Sequence, residues 1–172
     1  MDVAVRPGRL VGRIRVPGSK SIAQRALILA ARKGGTIRNV PDSTDVGRLC
    51  SGLRALGYNV DEQPGVRVFS GGLSTEPATI FVGENGTAAR CLTAMAALRD
   101  ARTVIDGSEG LRRRPIGPLC QALRELGAEV DGDEFPVTVR GPIEGRAIEV
   151  STERASDSAN SVVSAVESPS YR

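Results

Sequence analysis

Lys20, Ser21 and Arg25 are the first residues of this chain whose types and spacing suggest chemistry, and that chemistry is the holding of an anion. They follow Pro17-Gly18-Ser19, where an extended segment is expected to break and restart as a helix. Gly18 is expected to take backbone angles that other residues avoid, and Ser19 suits the N-cap, its hydroxyl accepting from a first-turn N–H. The other N–H groups of that turn have no partner inside the helix and carry the positive end of its dipole. Lys20 and Ser21 stand in the first turn, and Arg25, one turn on from Ser21, is expected on the same face. An ammonium, a hydroxyl, a guanidinium and a helix start converging on one point suit a phosphate or a carboxylate. Taken alone, the same residues also make a plain helix cap with a solvated lysine. A P-loop is a poorer fit, because Ser19 separates Gly18 from Lys20 where that loop needs Gly directly before Lys.

Two further stretches bear on the same chemistry. Gly83-Glu84-Asn85-Gly86-Thr87 is a glycine turn ahead of a second helix, and Arg112-Arg113-Arg114 is a dense run of positive charge. Each also has a bland reading, as a turn and as a solvated basic patch. With no histidine in 172 residues, a His-based metal site, a Ser-His-Asp triad and a histidine general base are excluded within this chain. The net charge of +3 is slight and spread, and two Tyr, three Phe and no Trp make a poor stacking platform. Nucleic acid is therefore not an expected partner, whereas an anionic small molecule is. Cys50, Cys91 and Cys120 are odd in number, far apart and set in apolar helical patterns, as reduced core residues of a cytoplasmic protein would be. No apolar run approaches membrane-spanning length, so no membrane partner is expected.

The elements that must place these residues read as an α/β (α+β) chain of tandem βαβαββ repeats. The first strand is expected over Leu10 to Val16. A helix from Ser21 to Arg32 follows, with Ile22, Ala26, Leu29 and Ala30 as its buried stripe. After a short strand at Thr36 to Val40, a second helix carries Val46, Leu49, Cys50, Leu53 and Leu56 inward, and strands follow at Tyr58 to Glu62 and Val66 to Ser70. The order then restarts: a strand at Ala78 to Val82, a helix from Thr87 to about Arg99, and a strand at Thr103 to Asp106. A helix with Pro115 in its first turn and Ile116, Leu119, Cys120, Leu123 and Leu126 inward comes next, before strands at Glu129 to Asp131 and Pro136 to Arg140. Arg54-Ala-Leu56-Gly57 returns as Arg124-Glu-Leu126-Gly127, one repeat of about 70 residues later. The repeats are expected at about 10–71 and 78–141, with part of a third at 146–172 whose helix runs from Ser156 to Ala165. Residues 1–172 are thus expected to form a single, incomplete domain. Related repeats around one core tend to bring equivalent helix starts to one rim. The turns at Gly18–Ser21, at Gly83–Thr87 and near Ser156 are therefore expected to share a cleft, with Arg114 entering from a loop. A third repeat halted part-way is expected to leave apolar surface for a partner.

The motifs stand in a recognisable order: Pro17-Gly18-Ser19-Lys20-Ser21 with Arg25-Ala26-Leu27; Asp42-Ser43-Thr44-Asp45; Gly83-Glu84-Asn85-Gly86-Thr87 with Arg90; and Leu111 to Leu119 around Arg114-Pro115. In this the chain resembles the enolpyruvyl transferases, and among them the branch that acts on shikimate 3-phosphate. The branch acting on UDP-N-acetylglucosamine typically has Lys-Asn after the glycine turn and is the weaker match. The resemblance implies transfer of the enolpyruvyl group from phosphoenolpyruvate to the 5-hydroxyl of shikimate 3-phosphate, with release of phosphate and no cofactor or metal. It implies that Lys20 touches both substrates and is the catalytic candidate, that Ser21 and Arg25 hold shikimate 3-phosphate, and that Gly86 and Arg114 contact phosphoenolpyruvate. Asp45 and Arg90 match supportive positions.

Two departures stand out. Glu84 replaces an Asn common in the family and puts a negative charge near the anion site. The family's Ser-Ser-Gln aligns with Ala155-Ser156-Asp157, so only Ser156 carries over as a substrate-binding residue. The resemblance implies a two-domain enzyme, of which this chain covers about two of the three repeats of one domain and part of the third. Turnover by this chain alone is not expected, and a second transferase domain or a second copy of the chain is the expected partner. The competing expectation is a non-catalytic module that binds an anionic metabolite or complements a partner.

Overall fold

The computed structural model describes residues 4, 8, 11–14, 16–144 and 148. Helix α1 (Lys20–Lys33) begins where Ser19 Oγ accepts from Ile22 N, and it ends at Gly34, whose φ of 74° suits glycine. Strand β1 (Gly35–Arg38) and helix α2 (Thr44–Ala55) follow. Ser43 caps α2 through Val46 N at 3.3 Å. The hairpin of β2 (Tyr58–Gln63) and β3 (Val66–Gly71) turns at Gly65, again at positive φ. Next come β4 (Ala78–Phe81), α3 (Gly86–Ala96), β5 (Thr103–Asp106), the short α4 (Glu109–Arg112), α5 (Gly117–Glu125), β6 (Glu129–Asp131) and β7 (Val137–Arg140).

The strands form two sheets, ordered β1-β3-β2 and β4-β5-β7-β6. All pairings are antiparallel except β4 with β5. The order β1-β3-β2 recurs as β5-β7-β6, and the matching arginines act alike. Arg54 donates to the Val60 carbonyl at 2.7 Å, and Arg124 to the Val130 carbonyl at 3.1 Å, each tying its helix end to the strand that follows. The inward residues expected on the second and last helices are buried without exception, from Val46, Leu49, Cys50, Leu53 and Leu56 to Ile116, Leu119, Cys120, Leu123 and Leu126. One core runs through both halves, and Arg99, 3% exposed, fastens them together. Its guanidinium donates to the carbonyls of Leu56, Ser74 and Glu76 and to Thr103 Oγ1, which is how a buried cation without a carboxylate is satisfied.

Four expectations are corrected. Residues 11–14 and 16 are not a strand; a strand exists only by pairing, none of the described strands lies beside them, and Val11, Ile14 and Val16 are exposed. Of the expected buried face of α1 only Ala30 is buried, with Ala23, Gln24, Leu27, Ile28 and Ala31 in place of Ile22, Ala26 and Leu29. Both stripes are apolar, and the alanine-rich one lets α1 lie against α2 and α3. Ile22 and Leu29 stay 69% and 60% exposed. Pro115 precedes α5 rather than opening it; Pro118 takes the first turn. Gly18 is not at positive φ; it is needed because a Cβ there would meet the Asn39 carbonyl at 2.5 Å. The expected third repeat, with its helix from Ser156 to Ala165, lies outside the described residues.

Candidate anion-binding cleft

Three helix starts and one loop converge on a cleft of about 680 Å³. The start of α1 supplies Lys20, Ser21 and Gln24; the turn before α3 supplies Glu84, Asn85, Gly86 and Thr87. Asp45 comes from α2, Arg90 from the second turn of α3, and Arg114 and Pro115 from the loop behind α4. Asn85 locks the arrangement. Its Oδ1 accepts from Ala88 N at 3.0 Å, capping α3, while its Nδ2 donates to the Asp45 carbonyl at 2.9 Å and so joins the beginnings of α2 and α3.

The positive charge is arranged with care. Lys20 Nζ donates to Asp45 Oδ2 at 2.6 Å, which draws the ammonium across the cleft toward α2. Arg90 donates to the Pro115 carbonyl at 3.1 Å, and this fixes the loop that presents Arg114. Both guanidiniums lie over Gly86: a Cβ there would come 2.9 Å from Arg114 Nη1 and 3.2 Å from Arg90 Nη1. Burial, and then the charge of Arg114, lower the pKa of Arg90. Two like charges held together at a helix start make a place where an anion relieves repulsion. The rest of the arginine run is occupied elsewhere. Arg112 grips Asp106 through two bonds of 2.9 and 2.6 Å, and Arg113 pairs with Glu109, so only Arg114 of the three lines the cleft.

Lys20, Ser21, Gly86 and Arg114 are therefore brought together as expected. Arg25 is not among the lining residues; it is exposed, and its charge reaches the thiol of Cys91 instead. Ser156 lies outside the described residues. Gln24 was missed by sequence reasoning. It is 1% exposed, lines the cleft, and its Oε1 has no hydrogen-bond partner among the described residues. Its position one turn after Lys20, on the same helix face, was the available signal. Among the described residues no group of His, Cys, Asp or Glu is placed to hold a metal ion, and no helix is long and apolar enough to cross a membrane.

The family model of EPSP synthase (3-phosphoshikimate 1-carboxyvinyltransferase) matches residues 5–165. The chain belongs to the EPSP synthase family. It is 48% identical to the 3-phosphoshikimate 1-carboxyvinyltransferase of Rhizobium etli over 146 residues, which are 80% of this chain and 34% of that enzyme. With the enzyme of Methanothermobacter thermautotrophicus it shares 35% identity, covering 95% of this chain and 41% of that one. The fold is similar to that of EPSP synthase from Acinetobacter baumannii, with a TM-score of 0.79 and 24% identity over 90% of this chain and 37% of that structure. The chain thus spans about a third of the length of the EPSP synthases it matches.

Proposed function

We propose that this chain is the part of a shikimate-pathway enolpyruvyl transferase that forms one wall of the substrate cleft, binding shikimate 3-phosphate and phosphoenolpyruvate but not turning them over alone. Supporting this reading, Arg90 and Arg114 are crowded over Gly86, in a cleft shared with Lys20 and Ser21. In the proposed reaction the 5-hydroxyl of shikimate 3-phosphate gives up its proton and adds to C2 of phosphoenolpyruvate as the methylene carbon takes a proton. Phosphate then leaves the tetrahedral intermediate as the new methyl group loses a proton and the double bond is restored. Both substrates are multiply charged anions. Lys20 and Arg114 offset their repulsion and orient them, which lowers the barrier by positioning and electrostatics. Ser21 adds a hydroxyl donor at the same rim. The units at about 10–71 and 78–141 are read as two copies of the family repeat, the first without its opening strand among the described residues. Three free cysteines accord with a reducing, cytoplasmic setting.

The exposed stripe of Ile22 and Leu29 supports a complementing partner, namely the rest of a transferase. Phosphate release from the two substrates tests both halves of the proposal. The chain alone is expected to give none, and adding the separately expressed remaining two thirds of a relative is expected to restore it. Lys20→Met and Arg114→Ala are each expected to weaken phosphoenolpyruvate binding by about tenfold or more, while Arg32→Ala at the far end of α1 leaves it unchanged. Equal losses in all three would remove the cleft from consideration.

A further inference from the structure

We infer that Glu84 is a specificity-determining residue of this cleft: its carboxylate serves as a built-in counter-anion to Arg114 and sets how strongly a phosphate-bearing ligand is held there. The inference rests on the reading of the cleft as an anion site. Glu84 lies in the turn ahead of α3 and lines the cleft beside Gly86 and Arg114. Its Oε1 accepts from Ser108 Oγ, and its Oε2 stands 3.9 Å from Arg114 Nη2.

This placement is built into the surroundings. Ser108 is the N-cap residue of α4, yet its side chain makes no bond to that helix start and serves Glu84 instead. Gly110 leaves the carboxylate its room, because a Cβ at that position would come 2.5 Å from Glu84 Oε2 and 2.9 Å from Oε1. The other carboxylates of the region are spent in close pairs, Asp45 on Lys20, Asp106 on Arg112 and Glu109 on Arg113. Arg114 alone of these cations faces a carboxylate that a serine holds back at the outer limit of an ion pair. It is compensated without being tied down. A phosphate oxygen approaching Arg114 therefore finds a free guanidinium but meets the charge of Glu84, and a dianion meets twice the repulsion that a monoanion does. Because Glu84 and Arg114 are both about half exposed, solvent screens this effect to a few-fold.

Titration of the isotope-labelled chain with inorganic phosphate, followed at the amides of Gly86 and Thr87, tests the inference. Glu84→Gln keeps the size and the bond to Ser108 while removing the charge, and Glu84→Asn is the second variant should the first not fold. Either is expected to bind phosphate about threefold more tightly than the parent, with a steeper loss of affinity as salt is raised, a change that a merely structural role would not produce. Lys20→Met is expected to weaken binding in the parent and in the Glu84 variants alike. If the Glu84 variants bind no better than the parent while Lys20→Met still weakens binding, the inference is overturned and the cleft stands. If Lys20→Met leaves phosphate binding unchanged, the cleft reading itself falls.

Discussion

The corner that opens α1 and the corner that opens α3 do the same task with different support. Both have a glycine and a capping side chain beside a helix start, and both helix starts line the cleft. Behind the α3 corner stands β4, paired with β5, and Asn85 is buried with its amide spent on Ala88 N and the Asp45 carbonyl. Behind the α1 corner the described residues 11–14 and 16–18 belong to no strand, Ser19 caps at a longer 3.4 Å, and Ser19, Lys20 and Ser21 are exposed. The same local motif is thus buried and bonded where a strand stands behind it and exposed where none of the described strands does. The exposed corner carries Lys20, which Asp45 holds from across the cleft in place of a strand.

The two glycines give the sharpest way to break this comparison. At Gly18 an added methyl would meet a backbone carbonyl, that of Asn39 at 2.5 Å, and backbone moves only by shifting the chain. At Gly86 it would meet the ends of two flexible side chains, Arg114 and Arg90. Gly18→Ala is therefore expected to cost about 2 kcal/mol of folding stability in denaturant unfolding. Gly86→Ala is expected to leave stability within about 0.5 kcal/mol and to weaken phosphate binding by pushing the guanidiniums apart. The reverse pattern would mean that the corners are not alike at all.

The caps come next in size. Asn85→Ala removes a cap and the buried bond to the Asp45 carbonyl, with an expected loss of about 2 kcal/mol, whereas Ser19→Ala removes one long bond at an exposed site and should cost about 0.5 kcal/mol. Thermal unfolding of the two variants side by side measures the difference. Losses of equal size would show that the strand behind α3 contributes nothing to how firmly its corner is held.

The contrast also explains which parts of the molecule were legible beforehand. The faces of α2 and α5 were read correctly because each has one apolar stripe, so spacing alone points inward. Helix α1 has two, and only the close approach of α2 and α3, a property of the assembled core, favours the alanines over Ile22 and Leu29. Lys20, Ser21, Gly86 and Arg114 were found because their motifs are local. Gln24 was not, since a buried amide looks in sequence like any polar helix residue. Arg25 lies outside the lining of the cleft, because one turn of separation fixes a face but not the reach of a long side chain. The strand at 10–16 was expected from alternation, which shows that a segment is fit to pair but not that a partner is present.

A last difference between the two corners lies one turn further along each helix and appears in alkali. Matching Arg25 with Arg90 sets Ala26 of α1 against Cys91 of α3. Burial pushes the Cys91 thiol up from 9.0 to about 11, even though Arg25 and Arg90 pull the other way. Cys120 of α5 is also pushed up to about 11, chiefly by burial. In the unfolded chain both thiols ionise as pH passes the ordinary value of 9.0. Folded, they keep their protons until about 11, so between those values the folded state binds more protons and stability must fall as pH rises. The contribution is fully present below the unfolded value and is gone above the folded one. Urea midpoints measured across this range are expected to decline, and Cys91→Ala, which makes α3 like α1 at this position, should flatten the slope by on the order of 1 kcal/mol per pH unit at most. An unchanged slope in that variant would mean that the second helix is no better shielded than the first.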